Sequence, residues 1–334
     1  MALFHKINCI IDTDPGVDDA AAVALSLYDD IMEIKLITTV SGNLDIDTVT
    51  RNMLHILEKF ERTDIPVAKG AAKPLVREPK DAKFIHQNEG LGNYIPPKKA
   101  GIKPIKLSAV EAMYKTICEY PDNISIIALG PHTNIAQLIQ THPDVIGKIS
   151  HIYTEGCSPF GWDSEGKWKN YVSFNVSSDP EAFKIVVESG IPITYVPSRV
   201  GRDVTHFTER EVRLMAKIND VGAFLAEMYS GYWENGYKKK RVATNDTCAV
   251  LMFRNPMLFT SKKSKVMIDV NTTDSPGKTI MFAVQNGHIT LIQKVNRFRM
   301  HVYFFLAIKK FGRFKFYTKE ERKAILEKIK ASRK

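Results

Sequence analysis

Four carboxylates stand within eight residues near the start of the chain: Asp12, Asp14, Asp18 and Asp19, in the run Asp12-Thr13-Asp14-Pro15-Gly16-Val17-Asp18-Asp19-Ala20. Anions at this spacing repel one another unless a cation or shared protons hold them together. A set of oxygen-only ligands selects a hard cation, calcium or magnesium, over zinc or copper. Such a cation takes roughly six to eight oxygens when it is calcium, so residues from elsewhere must complete the site. A carboxylate beside it has a second use, as proton acceptor for an attacking water. The same residue types also suit a solvated turn and an acidic helix start, so the neighbouring elements decide between the readings.

Those elements favour chemistry. Ile7–Ile11 reads as a buried strand, Pro15-Gly16 as a turn, and Ala20–Tyr28 as a helix with an apolar face. The acidic run therefore falls where a strand hands over to a helix, the edge at which open α/β sheets bind ligands. Strand-like and helix-like segments then alternate: Glu33–Val40, Ile46–Phe60, Ser108–Tyr120, Ile124–Leu129, Thr133–Gln140, Ile149–Thr154, Ser178–Glu188 and Ile193–Val196. Alternation of this kind predicts a mostly parallel central sheet flanked by helices, a Rossmann-like α/β fold. Two polar stretches, Ala71–Lys106 and Ser158–Val172, read as long connections over a site. Helices follow at Glu209–Ile218 and Val221–Tyr232. Lys265–Val270, Thr279–Ala283 and His288–Val295 read as a small β edge, and a helical extension closes the chain.

The net charge of +10 is concentrated at one end. Residues 309–334 hold 11 Lys or Arg against 3 Asp or Glu, so the other 308 residues carry only +2. This distribution argues against a nucleic-acid site in the body and divides the chain into an α/β domain over 1–308 and a basic tail over 309–334. Ala324, Ile325, Leu326 and Ile329 give the tail an apolar stripe suited to packing on the body. No apolar run reaches membrane-span length, and Met1–Lys6 does not read as a secretory signal. Cys9, Cys118, Cys157 and Cys248 lack metal-site spacing, which fits reduced thiols and a cytoplasmic protein.

The acidic run resembles the N-terminal signature of the inosine-uridine-type nucleoside hydrolases. Further segments resemble that family in order: Thr38-Thr39-Val40-Ser41-Gly42-Asn43, Ala128 through Ala136, Phe174-Asn175 before Asp179-Pro180-Glu181-Ala182, Asp203-Val204-Thr205-His206, and Asn245-Asp246. The likeness runs from about Ile7 to about Val295. It implies that Ca²⁺ is held by Asp14, Asp19, Asp246 and the backbone carbonyl of Leu129, and that a ribonucleoside is cleaved to ribose and free base. Asp18 is the candidate general base, and Asp12 orients the cluster. The resemblance also implies that Asn43 and Asn175 bond ribose hydroxyls, that His86 is a lid histidine near the sugar, and that the enzyme is a homo-oligomer. Phe174, Tyr229, Tyr232 and Trp233 are candidates to stack on the base, whereas His206 reads as structural.

Three positions depart from the family pattern. Asn245 replaces a histidine that helps protonate the leaving base, and an amide delivers no proton. Ser173 replaces a glutamate at the sugar. The usual Gly-Gly turn reads Glu155-Gly156-Cys157, which makes Glu155 a candidate to restore the lost charge. These departures leave open a divergent nucleoside- or ribose-binding member with little catalysis. A magnesium phosphatase built on the Asp-x-Asp pair is the other enzyme alternative, against which the later matched segments argue.

Overall fold

The computed structural model describes residues 6–156, 161–162, 168–169, 172–235, 241–271 and 276–331. Nine strands form one sheet: β1 Ile7–Thr13, β2 Met32–Thr39, β3 Val67–Lys69, β4 Ile124–Ala128, β5 His151–Glu155, β6 Ile193–Val196, β7 Phe259–Asp269, β8 Lys278–Ala283 and β9 Ile289–Val295. Their order is β8-β7-β9-β6-β5-β4-β1-β2-β3. Every neighbouring pair from β9 to β3 is parallel, whereas β7 runs antiparallel to both β8 and β9. The sheet is therefore mostly parallel, with the β edge that the sequence predicts.

Continuous apolar runs explain the central strands. β4 is buried at every position and β1 at all but its first, as expected where helices cover both faces. Successive side chains alternate between two cores. Cys9 and Ile11 pack with Val23, Leu57 and Phe60, while Ile10 packs with Leu36, Ile126 and Ile152. The chain runs outward from β1 through β2 to β3, then returns to β4 on the other side of β1. This reversal leaves a crevice beyond the carboxyl ends of β1 and β4.

Side-chain caps start several helices where the sequence indicates. Asp45 accepts from the Thr48 amide ahead of Ile46–Lys59, and Ser108 from the Glu111 amide ahead of Ala109–Glu119. Thr208 and Glu211 form a reciprocal capping box for Glu209–Ile218. The helix expected over Ala20–Tyr28 spans Val17–Ser26, so Asp18 and Asp19 lie inside its first turn. The helix expected over Ser178–Glu188 spans Pro180–Glu188 with Asp179 as its cap, and a separate short helix, Phe174–Ser178, precedes it.

Residues 297–310 hold a helix the sequence reading omits, because its apolar residues cover nearly the whole circumference and show no stripe. It runs through position 308. Beyond it, Lys319–Ala331 buries Ile325 and Ile329. Asp220 opens the helix Asp220–Asn235 and accepts hydrogen bonds from the Phe316 and Tyr317 amides and from Arg322. Lys59 places its ammonium 4.3–5.3 Å from the rings of Tyr94, Phe224, Phe316 and Tyr317. No described helix is long and apolar enough to cross a membrane.

Candidate active site

The site grows from the turn after β1. Asp19 closes that turn by accepting from Thr13 Oγ1 at 2.7 Å and from the Gly16 amide at 3.1 Å. Asn43, beyond β2, donates its backbone N–H to Asp14 Oδ2 at 2.7 Å and its Nδ2 to Asp19 Oδ2 at 3.0 Å. Two glycines leave room for this packing: a Cβ on Gly42 would stand 2.1 Å from Asp14 Oδ2, and one on Gly130 would stand 2.8 Å from Asp14 Oδ1. Asp12 is held from below by Thr38 Oγ1 at 2.6 Å and Asn134 Nδ2 at 2.8 Å. Asn134 also donates to the Thr39 carbonyl and accepts from the Ala71 amide, tying β1, β2 and the following loop together.

The opposite wall comes from β4, β5 and two helix starts. Asn175 Nδ2 donates to the Leu129 carbonyl and to Glu155 Oε1, each at 2.6 Å, and Ser198 Oγ donates to Glu155 Oε2 at 2.9 Å. Asn245 and Asp246 open the helix Asn245–Arg254, with Thr244 at its N-cap position. His86 ends the short helix Lys83–His86, and its Nδ1 accepts from the Val17 amide at 3.0 Å. The resulting cleft is lined by Asp18, Asp19, Asn43, His86, Leu129, Glu155, Phe174, Asn175, Ser198, Tyr232, Asn245 and Asp246 together with Ala82 and Ile85.

Most residues singled out in the sequence thus meet in one cleft. Asp14 lies beneath the lining, fully buried, as do Asp12 and Tyr229. His206 is buried away from the cleft, its carbonyl accepting from Arg297. Cys157, most of the Ser158–Val172 stretch and the Trp233 side chain lie outside the described residues. Ser198 and Asn134 carry structural duties that no motif assigns: Ser198 belongs to no motif, and Asn134 lies within Ala128–Ala136 with no distinguishing spacing of its own.

Electrostatics single out the same place. Oxygens of Asp18, Asp19 and Asp246 all lie within 4.8 Å of one another. Burial, then the charge of Asp19, pushes Asp18 up to about 8. Asp14 and Asp246 stand well above the ordinary carboxylate range for the same two reasons. Burial raises Asp19 against the hydrogen bonds it accepts, raises Asp12 to about 7 and raises Glu155 to about 8. Burial lowers His86 to about 3, so its ring is neutral, with Nδ1 as acceptor and the proton on Nε2.

The arrangement fits a hard divalent cation. Its donors are oxygens, three carboxylates converge, and the buried Asp14 Oδ1 and Asp12 Oδ2 have no hydrogen-bond partner among the described residues. A cation would offset the burial of these carboxyls and the repulsion among Asp14, Asp18, Asp19 and Asp246. Asp18 stands within the convergent trio, and Asp14 joins it through Asn43.

Known proteins resemble this chain in sequence and in fold. A family model described as inosine-uridine preferring nucleoside hydrolase matches residues 9–304. The chain is 35% identical over 280 residues to the pyrimidine-specific ribonucleoside hydrolase RihA of Escherichia coli O81 (strain ED1a), an alignment covering 81% of this chain and 87% of RihA. The plant nucleoside hydrolase PpNRh1 superposes with a TM-score of 0.83 at 26% identity, covering 91% of this chain and 99% of that one. A purine-preferring ribonucleoside hydrolase from Gardnerella vaginalis shares the fold, with a TM-score of 0.82 at 24% identity over 92% of this chain and 100% of that one. By sequence along most of its length and by fold, the chain belongs to the inosine-uridine preferring nucleoside hydrolase family and is a ribonucleoside N-glycosyl hydrolase.

Proposed function

We propose that the protein hydrolyses ribonucleosides in a calcium-dependent reaction, giving ribose and free base through an oxocarbenium-like transition state. The observation that carries this reading is the convergence of Asp18, Asp19 and Asp246 on a cleft that also holds Asn43 and Asn175. Asp14, Asp19, Asp246 and the Leu129 carbonyl are the ligands we assign to the cation. Calcium, when bound, would orient sugar hydroxyls and ease the loss of a proton from water.

Asp18 is the proposed proton acceptor, because it lines the cleft whereas Asp14 is fully buried with Oδ2 held by Asn43. Carboxylates around the sugar stabilise its developing positive charge. Neutral His86 offers Nε2–H to the substrate, and Asn43 offers Oδ1, since its Nδ2 is committed to the Asp14 carbonyl and to Asp19. Phe174, half-buried, and Tyr232 line the cleft as surfaces for the base. Asn245 donates a hydrogen bond to the leaving base without protonating it. RihA is pyrimidine-specific and the Gardnerella vaginalis enzyme purine-preferring, so base preference is read from a panel. Assembly as a homo-oligomer and a cytoplasmic location rest on the resemblance and the scattered cysteines, and analytical ultracentrifugation tests the first.

The test is ribose release from purine and pyrimidine nucleosides, with calcium and after chelation, in wild type, Asp18→Asn and Asp14→Asn. Asp18→Asn should lose about 10²–10⁴-fold in kcat while keeping calcium affinity. Retained turnover in Asp18→Asn would remove Asp18 from the proton-accepting role, whereas Asp14→Asn should lose turnover together with calcium affinity. Nucleoside binding without ribose release from any nucleoside would favour the binding-protein reading that Ser173 and Asn245 motivate.

A further inference from the structure

Glu155 is a glutamate at the last position of a central strand, buried in the lining of the cleft with only 5% of its surface exposed. A carboxyl is kept in such a place only with partners. Both of its oxygens have one: Asn175 Nδ2 on Oε1 at 2.6 Å, and Ser198 Oγ on Oε2 at 2.9 Å. Asn175 Nδ2 donates equally to the Leu129 carbonyl at 2.6 Å. An amide nitrogen carries two hydrogens, and both are therefore spent on protein acceptors. What Asn175 can present to a ligand is its oxygen, an acceptor. Flipping the amide would set that oxygen against a carbonyl and a carboxyl oxygen at 2.6 Å, so Glu155 and Leu129 together forbid the flip.

Ser173 adds an independent observation. It stands at the N-cap position of the short helix that carries Asn175 without making a capping hydrogen bond, and its buried hydroxyl has no partner among the described residues. It lies 3.3 Å from where a Cβ on Gly156 would stand, immediately beside Glu155. The side chain at 173 is thus too short to fix Asn175, and the strand residue does so instead.

We propose that Glu155 is a positioning residue that locks Asn175 as a hydrogen-bond acceptor, so that the site reads a sugar hydroxyl by its proton. The inference rests on the ribonucleoside reading. It names the substrate class more narrowly: sugars with that hydroxyl free are taken, and those with it removed, methylated or phosphorylated are not.

The test compares wild type, Glu155→Ala, Glu155→Gln and Ser198→Ala on a ribonucleoside and its 2′-deoxy and 3′-deoxy analogues. Glu155→Ala should lose about 10- to 100-fold in kcat/KM on the ribonucleoside, the scale of leaving one buried hydrogen-bonding group unpaired, and much less on one of the two analogues. Glu155→Gln keeps an acceptor oxygen for Asn175 and should stay within about threefold of wild type. Ser198→Ala loosens Glu155 with little change of volume and should show a smaller loss with the same analogue dependence, which keeps the test open if Glu155→Ala does not fold. Equal losses on all three substrates, or an unchanged Glu155→Ala, would overturn the proposal, as would a folded Glu155→Gln as impaired as Glu155→Ala. Absence of ribose release from wild type is failure of the hydrolase reading instead; the same variants are then ranked by calorimetric binding of the three nucleosides, where the same pattern supports the positioning role and its absence overturns it.

Discussion

Replacing Asp246 by Asn should move stability in opposite directions with and without calcium. Asp246 lies within 4.8 Å of both Asp18 and Asp19. At an effective dielectric of about 20, two full charges at that separation repel by about 3.5 kcal/mol. Asp246 faces two such neighbours, so a fully ionised trio would be prohibitive. Burial first, and this repulsion after it, favour the protonated forms, which is why these carboxyls stand above their ordinary range. The relief from removing one charge is therefore only a part of the Coulomb sum, about 1–3 kcal/mol. In calcium the same change deletes an anionic ligand, and each tenfold loss of affinity removes about 1.4 kcal/mol of ligand-linked stability. Scanning calorimetry in chelator and in millimolar calcium should show Asp246→Asn melting above wild type in the first and below it in the second. A melting temperature lowered equally in both would refute the reasoning and make Asp246 a structural hydrogen-bonding residue.

Three further perturbations separate scaffold from site. His132 is fully buried, stacked 3.7 Å from Phe183, and held by burial at about 3 against an ordinary value near 6.5. The unfolded chain thus takes the proton first as pH falls, so this contribution is whole above about pH 6.5 and declines by about 1.4 kcal/mol per unit toward pH 3. Urea midpoints at pH 7.5 and 5.5 should differ less in His132→Phe than in wild type, and an unchanged difference would remove His132 from the acid response. Asn134→Ala leaves the Ala71 amide, the Thr39 carbonyl and Asp12 without their shared partner and should cost about 2–4 kcal/mol in urea unfolding; a loss under about 1 kcal/mol would contradict that role. Gly201→Ala would place a Cβ 2.0 Å from Asn245 Oδ1 and 2.6 Å from its backbone nitrogen, displacing the helix start that carries Asp246. Calcium affinity should fall at least about tenfold by titration calorimetry, and unchanged affinity would show that the helix start yields without moving Asp246.

The strands and the acidic cluster were legible in the sequence for one reason: both are local. Ile193–Val196 and Glu209–Ile218 carry their bounds in a run of apolar residues or a capping box, and they appear in the structure at those bounds. What required the structure was contact across the chain. Nothing near Ser198 announces that it will hold Glu155 from 43 residues away. The helix Arg297–Lys310 hid because it is apolar on several sides, with Met300, Phe304 and Ile308 inward and Phe298, Val302 and Leu306 outward. The motif named Asp14, Asp18 and Asp19 together, but only the backbone decides that Asp18 reaches the cleft while Asp14 stays beneath it.

The tail's grip on Asp220 bears on the far end of the same helix. Asp220 is clamped by two amides and an arginine from the tail, while Tyr232, about 18 Å further along the rod at 1.5 Å per residue, forms part of the cleft wall. That helix is buried along its length and tied near its far end by Asn93 Nδ2 donating to Ser230 Oγ at 2.9 Å, so a shift at its start is carried along a packed rod to the cleft wall. Tags, fusions or truncations that disturb residues 313–331 should therefore be felt in substrate affinity, which makes the choice of which terminus to modify part of any kinetic study of this enzyme.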